Sequence, residues 1–247
     1  MKEIQDFDEI KNDKDSYLIT SIKFEAFMTL TGHTNSVNSL LLLKDNRIAS
    51  CSDDKTIRIY APFNNYYCEQ VLKRHSDYIS SICQLDDGTI VSCSYDHSIM
   101  IGDYTIKNAH DLCINKVIKL SNNRIASCSD DKTVKIWKSD PPYSDTPIKV
   151  LEGHNNWVTS ILYIKRDIMI SCSYDRTFVW NISTYQCVTV FKEVKCTLSN
   201  ALFEIDKDRI LVGCNSQFFI VNIDKCVIEK IVKLKINHSD MLNVFLS

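Results

Sequence analysis

Four stretches of this chain repeat one pattern at one spacing. They are Arg47-Ile-Ala-Ser-Cys-Ser-Asp-Asp-Lys-Thr-Ile-Arg-Ile-Tyr60, Thr89-Ile-Val-Ser-Cys-Ser-Tyr-Asp-His-Ser-Ile-Met-Ile-Gly102, Arg124-Ile-Ala-Ser-Cys-Ser-Asp-Asp-Lys-Thr-Val-Lys-Ile-Trp137 and, one residue shorter, Ile168-Met-Ile-Ser-Cys-Ser-Tyr-Asp-Arg-Thr-Phe-Val-Trp180. A histidine precedes the same serine by 17 residues in each: His33 to Ser50, His75 to Ser92, His110 to Ser127 and His154 to Ser171. An aspartate follows that serine by four, at Asp54, Asp96, Asp131 and Asp175. Tyr60, Trp137 and Trp180 close three of the copies, and Gly102 stands in the other. Repetition of this kind marks an architecture of stacked units, each burying its apolar face against its neighbours.

A fifth copy, Arg209–Asn222, keeps the apolar pattern but has Val212 for the serine, Ser216 for the aspartate and Lys195 for the histidine. A sixth begins at Asn237-His238. Within a copy the residues read as strands. Ile48–Cys51 is a short apolar run, and Thr56–Tyr60 alternates with period two. Between the first two strands stand Asp45-Asn46, Asp87-Gly88, Asn122-Asn123, Arg166-Asp167 and Lys207-Asp208. With only five glycines in the chain, Asn and Asp take most of the turn positions. No stretch keeps a helical period. Pro141-Pro142 opens the longest insertion, expected to be a surface loop.

The chain has 247 residues, enough for one large domain, which we expect to span 1–247 with 1–15 as a charged tail. No apolar run approaches the roughly 18 residues of a membrane helix. The first ten residues carry no secretory core. A net charge of −2 gives no general attraction to nucleic acid or anionic membrane. Eleven cysteines occur without a Cys-x-x-Cys. Cys51, Cys93, Cys128, Cys172 and Cys214 recur one per copy and read as small buried hydrophobes in a reducing compartment. Each unit offers at most His plus Asp to a metal, so neither metal nor cofactor is expected.

The chain resembles the WD-repeat β-propeller family over about residues 27–246. The carriers are Gly32-His33 and Gly153-His154, the Ser-x-x-x-Asp spacing, and the tryptophan ending the third strand of a unit. The sequence departs from the family in lacking any Trp-Asp pair, since Trp137 precedes Lys138 and Trp180 precedes Asn181. Gly102 and a short link to His110 leave the outer strand of the second unit open. The resemblance implies an all-β ring of four-stranded antiparallel blades. His33 to His238 spans 205 residues, five units of 41, and the residues on either side amount to one more. Six blades are therefore expected, the last combining Leu242–Leu246 with Tyr17–Ile22 and Phe27–Leu30. The alternative is an incomplete fragment of a seven-bladed ring.

By the same resemblance His33/Ser50/Asp54, His75/Ser92/Asp96, His110/Ser127/Asp131/Trp137 and His154/Ser171/Asp175/Trp180 form a structural network in each blade. Four copies at one spacing do not make four active sites, and no Gly-x-Ser-x-Gly elbow is present, so a hydrolase triad is not expected.

The family binds peptides or proteins mostly on the face carrying the loop after the histidine and the turn holding the aspartate. Three residues after the histidine stand Ser36, Tyr78, Cys113, Trp157, Leu198 and Met241. Before the turn aspartate stand Asp53, Tyr95, Asp130, Tyr174 and, in the degraded copy, Asn215. Trp157, Tyr78, Tyr95, Tyr174, Asp53 and Asp130 are the candidate partner-binding residues, with packing between blades the alternative for Trp157 and Tyr78. Lys55, His97, Lys132 and Arg176 follow the turn aspartate and read as solvated charge. The expectation is a non-catalytic scaffold for a protein or peptide partner in a multi-protein complex, cytoplasmic or else nuclear. A propeller-based enzyme would need a cluster of titratable groups outside the repeat. A nucleic-acid adaptor would need a basic face, against which Asp53 and Asp130 count.

Overall fold

A computed structural model describes residues 29–62, 67–164, 167–195, 202–214 and 217–233. The chain divides into two compact units, 1–30 and 31–247. All but two residues of the first lie outside the described set, and every strand below belongs to the second. Among the described residues there is no helix, and so none able to cross a membrane.

The repeats become five four-stranded sheets, each a simple antiparallel meander. The first holds β1 (Val37–Leu42), β2 (Ile48–Ser52), β3 (Ile57–Tyr60) and β4 (Cys68–Leu72). The second holds β5 (Ile79–Gln84), β6 (Ile90–Ser94), β7 (Ile99–Ile101) and β8 (Tyr104–Ile106). The third holds β9 (Ile114–Lys119), β10 (Arg124–Ser129), β11 (Val134–Lys138) and β12 (Lys149–Leu151). The fourth holds β13 (Val158–Ile164), β14 (Ile168–Ser173), β15 (Thr177–Asn181) and β16 (Gln186–Phe191). The fifth holds β17 (Leu202–Glu204), β18 (Arg209–Cys214), β19 (Gln217–Asn222) and β20 (Val227–Lys233). First strands lie side by side in chain order, β1 by β5, β5 by β9, β9 by β13 and β13 by β17.

Turn chemistry explains the hairpins. Asn46, Asn122, Asn123 and Asp167 hold positive φ, the conformation that Asn and Asp tolerate best after glycine. Gly102 settles the open question in the second sheet. Its φ is +56°, and Gly102-Asp103 makes a two-residue turn that pairs Ile101 with Tyr104. The outer strand β8 is therefore present, though short, and a tryptophan at that backbone angle would be strained. The insertion at Pro141-Pro142, whose peptide bond is cis, is a loop that packs on this short strand. Tyr143 stacks on Tyr104 at 4.6 Å, and the Tyr104 hydroxyl donates to Asp145 at 2.6 Å.

Four apolar clusters fill the spaces between successive sheets. Each joins the cysteine-bearing second strand of one sheet to the first strand of the next. Cys51 meets Ile79 and Ile82, Cys93 meets Ile114 and Val117, and Cys128 meets Val158 and Ile161. Second strands are thus buried on both faces, which is why they read as continuous apolar runs rather than alternating ones. Cys51, Cys93, Cys128 and Cys172 are fully buried. Burial pushes the Cys93 thiol up to about 12, so it packs as a protonated, small apolar group. Cys214 departs from this set: it sits one register position later, where Gly213 takes the cysteine's place, and is only partly buried.

The first sheet shows what a neighbour contributes. Ile82, Val117 and Ile161 are 5%, 1% and 0% exposed, whereas the equivalent Leu40 is 68% exposed. Among the described residues no sheet covers that face. Of the expected sixth blade, Thr29 and Leu30 are described and lie outside any strand. The rest of Phe27–Leu30, with Tyr17–Ile22, His238 and Leu242–Leu246, lies outside the described residues.

Candidate functional site

Each of the first four sheets carries a polar cluster on an apolar background, and the strand geometry assembles it. The second strand presents its serine, the turn after it presents the aspartate, and the incoming loop lays the histidine across both. His33 Nδ1 lies 2.7 Å from Asp54 and its Nε2 2.6 Å from Ser50. The distances are 3.0 and 2.8 Å for His75 with Asp96 and Ser92, and 2.7 and 2.7 Å for His110 with Asp131 and Ser127. Trp137 Nε1 donates to Ser127 Oγ at 2.8 Å, as Trp180 Nε1 does to Ser171 Oγ. One arrangement satisfies every atom: indole to serine, serine to imidazole Nε2, imidazole Nδ1–H to carboxylate. A further hydroxyl joins each aspartate at 2.6 Å, from Thr56, Ser98 and Thr133. Hydrogen bonds to its hydroxyl and imidazole partners outweigh burial and hold Asp54 down at about 2, and Asp96 and Asp131 well below the usual carboxylate range. Ser127 and Ser171 are fully buried and engaged on both sides, so no substrate reaches their Oγ atoms.

The fourth sheet departs from the other three, and the cause is its missing residue. Cys172 pairs with Thr177 where Cys128 pairs with Val134. The deletion is therefore absorbed in the turn, which loses the residue equivalent to Thr133. Asp175 turns instead to Arg176, whose Nε lies 2.6 Å away, and to Ser173. His154 Nδ1 is left 3.6 Å from Asp175, buried and without a hydrogen bond, while Nε2 keeps Ser171 at 2.7 Å. Burial then dominates and lowers His154 to about 4. Arg176, expected to be solvated, is held by Asp175. Lys55 likewise donates to the Ser76 carbonyl at 2.8 Å.

The rim residues sit beside this framework. Backbone hydrogen bonds join the two rim positions of a sheet, Asp53 to Ser36, Tyr95 to Tyr78 and Asp130 to Cys113. Tyr78 and Tyr95 thereby meet with centroids 5.9 Å apart, and Trp157 and Tyr174 meet edge-to-face at the same distance. Trp157 is 48% exposed and the three tyrosines 38–39%, so each ring stays partly open to solvent. Asp53 and Asp130 are half-buried, each holding an asparagine: Asn38 at 2.6 Å and Asn115 at 2.7 Å. Burial raises Asp130, with the Asn115 bond acting the other way. The Tyr95 hydroxyl is pushed up by burial and then by the charges of Asp130, Cys113 and Asp53, which places it within electrostatic reach of both acids. Leu198, Asn215 and Met241 lie outside the described residues. So does Ser216, the substitute for the fifth aspartate.

Sequence reasoning missed the residue five after each histidine: Asn38, Ser80, Asn115 and Thr159. Asn38 donates to the Ile79 carbonyl of the next sheet at 3.0 Å, Ser80 to that of Ile114 and Asn115 to that of Val158 at 2.9 Å. These side chains fasten neighbouring first strands at the rim. The signal was available, because this position alternates Asn, Ser, Asn, Thr in step with the acid and aromatic positions.

The family described as "WD domain, G-beta repeat" matches residues 24–61, 66–103, 104–138 and 145–181. From the second onward, each matched segment takes the outer strand of one sheet and the three inner strands of the next. Among curated proteins, DDB1- and CUL4-associated factor 10 of Homo sapiens is 31% identical over 83 residues, 33% of this chain and 14% of that protein. Nuclear distribution protein nudF of Aspergillus oryzae (strain ATCC 42149 / RIB 40) is 35% identical over 69 residues, 27% of this chain and 15% of that protein. Protein transport protein SEC13 of Candida albicans (strain SC5314 / ATCC MYA-2876) is 40% identical over 81 residues, 31% of this chain and 27% of that protein. The chain thus spans only a small part of the length of these relatives.

Proposed function

The chain belongs to the WD-repeat family, and from that we propose that it is a non-catalytic protein-interaction scaffold, holding a peptide segment of a partner on the face that carries Tyr78, Tyr95, Trp157 and Tyr174. The observation that carries the reading is the pair of exposed aromatic contacts on that face. Paired rings on a hydrogen-bonded backbone lose little freedom on binding and supply the anchors that dominate many interfaces. Against catalysis stands the engagement of the buried serines and histidines with one another. Membership of a multi-protein complex belongs to the same proposal. It is supported by relatives such as the one named for association with DDB1 and CUL4, although the names of the relatives do not converge on one complex. The abundance of buried thiols suits a reducing compartment, and cytoplasmic residence is proposed on that ground.

Affinity capture with mass spectrometry tests the reading. Wild type is compared with Trp157→Ala plus Tyr174→Ala, whose folding is checked by its urea midpoint. Partners retained by wild type and lost by the variant support the face. The same partners on both proteins overturn it.

A further inference from the structure

The rim alternates with a period of two sheets. Sheets one and three present Ser36/Asn38/Asp53 and Cys113/Asn115/Asp130. Sheets two and four present Tyr78/Ser80/Tyr95 and Trp157/Thr159/Tyr174. The tyrosine pair of sheet two therefore has an acid on each flank. Among the described residues this acid–aromatic–acid order occurs once, because the turn of the fifth sheet lies outside them.

The two acids are fixed but not neutralised. Asn38 and Asn115 each hold one carboxylate oxygen and are themselves tied to the next sheet, so neither carboxylate can swing away cheaply. Among the described residues neither Asp53 nor Asp130 is ion-paired. Nearby cations are directed elsewhere: Lys55 to the Ser76 carbonyl, and Lys116 to within 3.5 Å of Ser160 Oγ. Two half-buried negative charges flank an exposed ring whose face attracts cations. We infer that the partner segment carries a lysine or arginine, whose side chain lies over Tyr95 between Asp53 and Asp130. This rests on the rim reading above and sets the register of the segment on it. The Trp157–Tyr174 pair, with Asp130 on one flank, is then left for an apolar residue of the same segment.

The test uses a displayed library of random peptides selected on the full chain. The best binder is remade with its basic residue changed to glutamine. The expectation is that selected peptides share a lysine or arginine. Losing it, or making Asp53→Asn plus Asp130→Asn, should weaken binding roughly tenfold or more, as expected for a fixed charge pair. Both substitutions keep the asparagine contacts possible, and an unchanged urea midpoint confirms the fold. Selected peptides without a basic residue, or binding indifferent to the two substitutions, overturn the inference. If such peptides are still lost on Trp157→Ala plus Tyr174→Ala, the rim reading stands without it. If no peptide depends on the rim, both fall.

Discussion

Removing the turn aspartate should cost very different amounts in the third and fourth sheets. Asp131 accepts from His110 Nδ1 at 2.7 Å, from the Thr133 hydroxyl at 2.6 Å, and from the backbone of Thr133 and Asp111 at 3.0 and 3.2 Å. In Asp131→Ala the fully buried His110 loses its acceptor, a penalty of about 1–3 kcal/mol, and the other donors add part of their own bonds. A total of about 3 kcal/mol is expected. In Asp175→Ala most of that penalty is already present in wild type, because His154 Nδ1 has no partner to lose. What remains is the Ser173 hydroxyl bond, the Asn155 backbone bond at 3.3 Å and the pair with a partly exposed Arg176, and the cost should be about 1 kcal/mol. Urea unfolding of the two variants at pH 7, with unchanged slopes, measures the difference. A third variant with a threonine inserted after Arg176 restores the turn length. It should bring Asp175 back to His154 and stabilise the protein by about 1 kcal/mol. Equal costs for the two alanine variants, or a larger cost at Asp175, would refute the claim that the deletion uncoupled the fourth histidine.

Three further outcomes follow from the geometry. Ile161→Ala should cost about 2–5 kcal/mol and the equivalent Leu40→Ala under 1, since only the former is buried; equal urea shifts would mean that another sheet covers Leu40. His154 should stay neutral by NMR until the pH nears 4, well below the ordinary value of 6.5. Between those values the unfolded chain binds a proton that the folded chain does not, so stability falls as pH drops through that window, and a fold more stable at pH 5 than at 7 would contradict the assignment. Gly102→Trp, which inserts the family's own residue, should destabilise by about 1–3 kcal/mol because of the positive φ; a neutral or stabilising effect would show that the turn tolerates it.

The sheets were legible in the sequence because the repeat constrains them several times over. The period-two runs, the fixed His–Ser–Asp spacing and the Asn/Asp turns all specify one meander. Gly102 was ambiguous because a missing tryptophan can mean a lost strand or a tighter turn, and only the backbone angle separates them. The missing residue of the fourth copy was visible, but whether strand or turn absorbed it depended on pairing register. The partial exposure of Trp157 and Tyr78 was not legible, because a ring at the end of a strand can turn toward solvent or toward the next sheet and the sequence pattern is the same. Asn38 and Asn115 escaped notice because their role is to reach a carbonyl of another sheet, a contact that no local pattern encodes.

A partner seated on the face bearing the paired rings should shield the backbone there. Hydrogen exchange on the complex captured from cells tests it most directly. Exchange should slow at residues 76–80, 94–97, 130–132, 155–159 and 173–176, with the outer strands β4, β12 and β16 unchanged. Protection confined to those outer strands, with the rim exchanging as in the free protein, would contradict it.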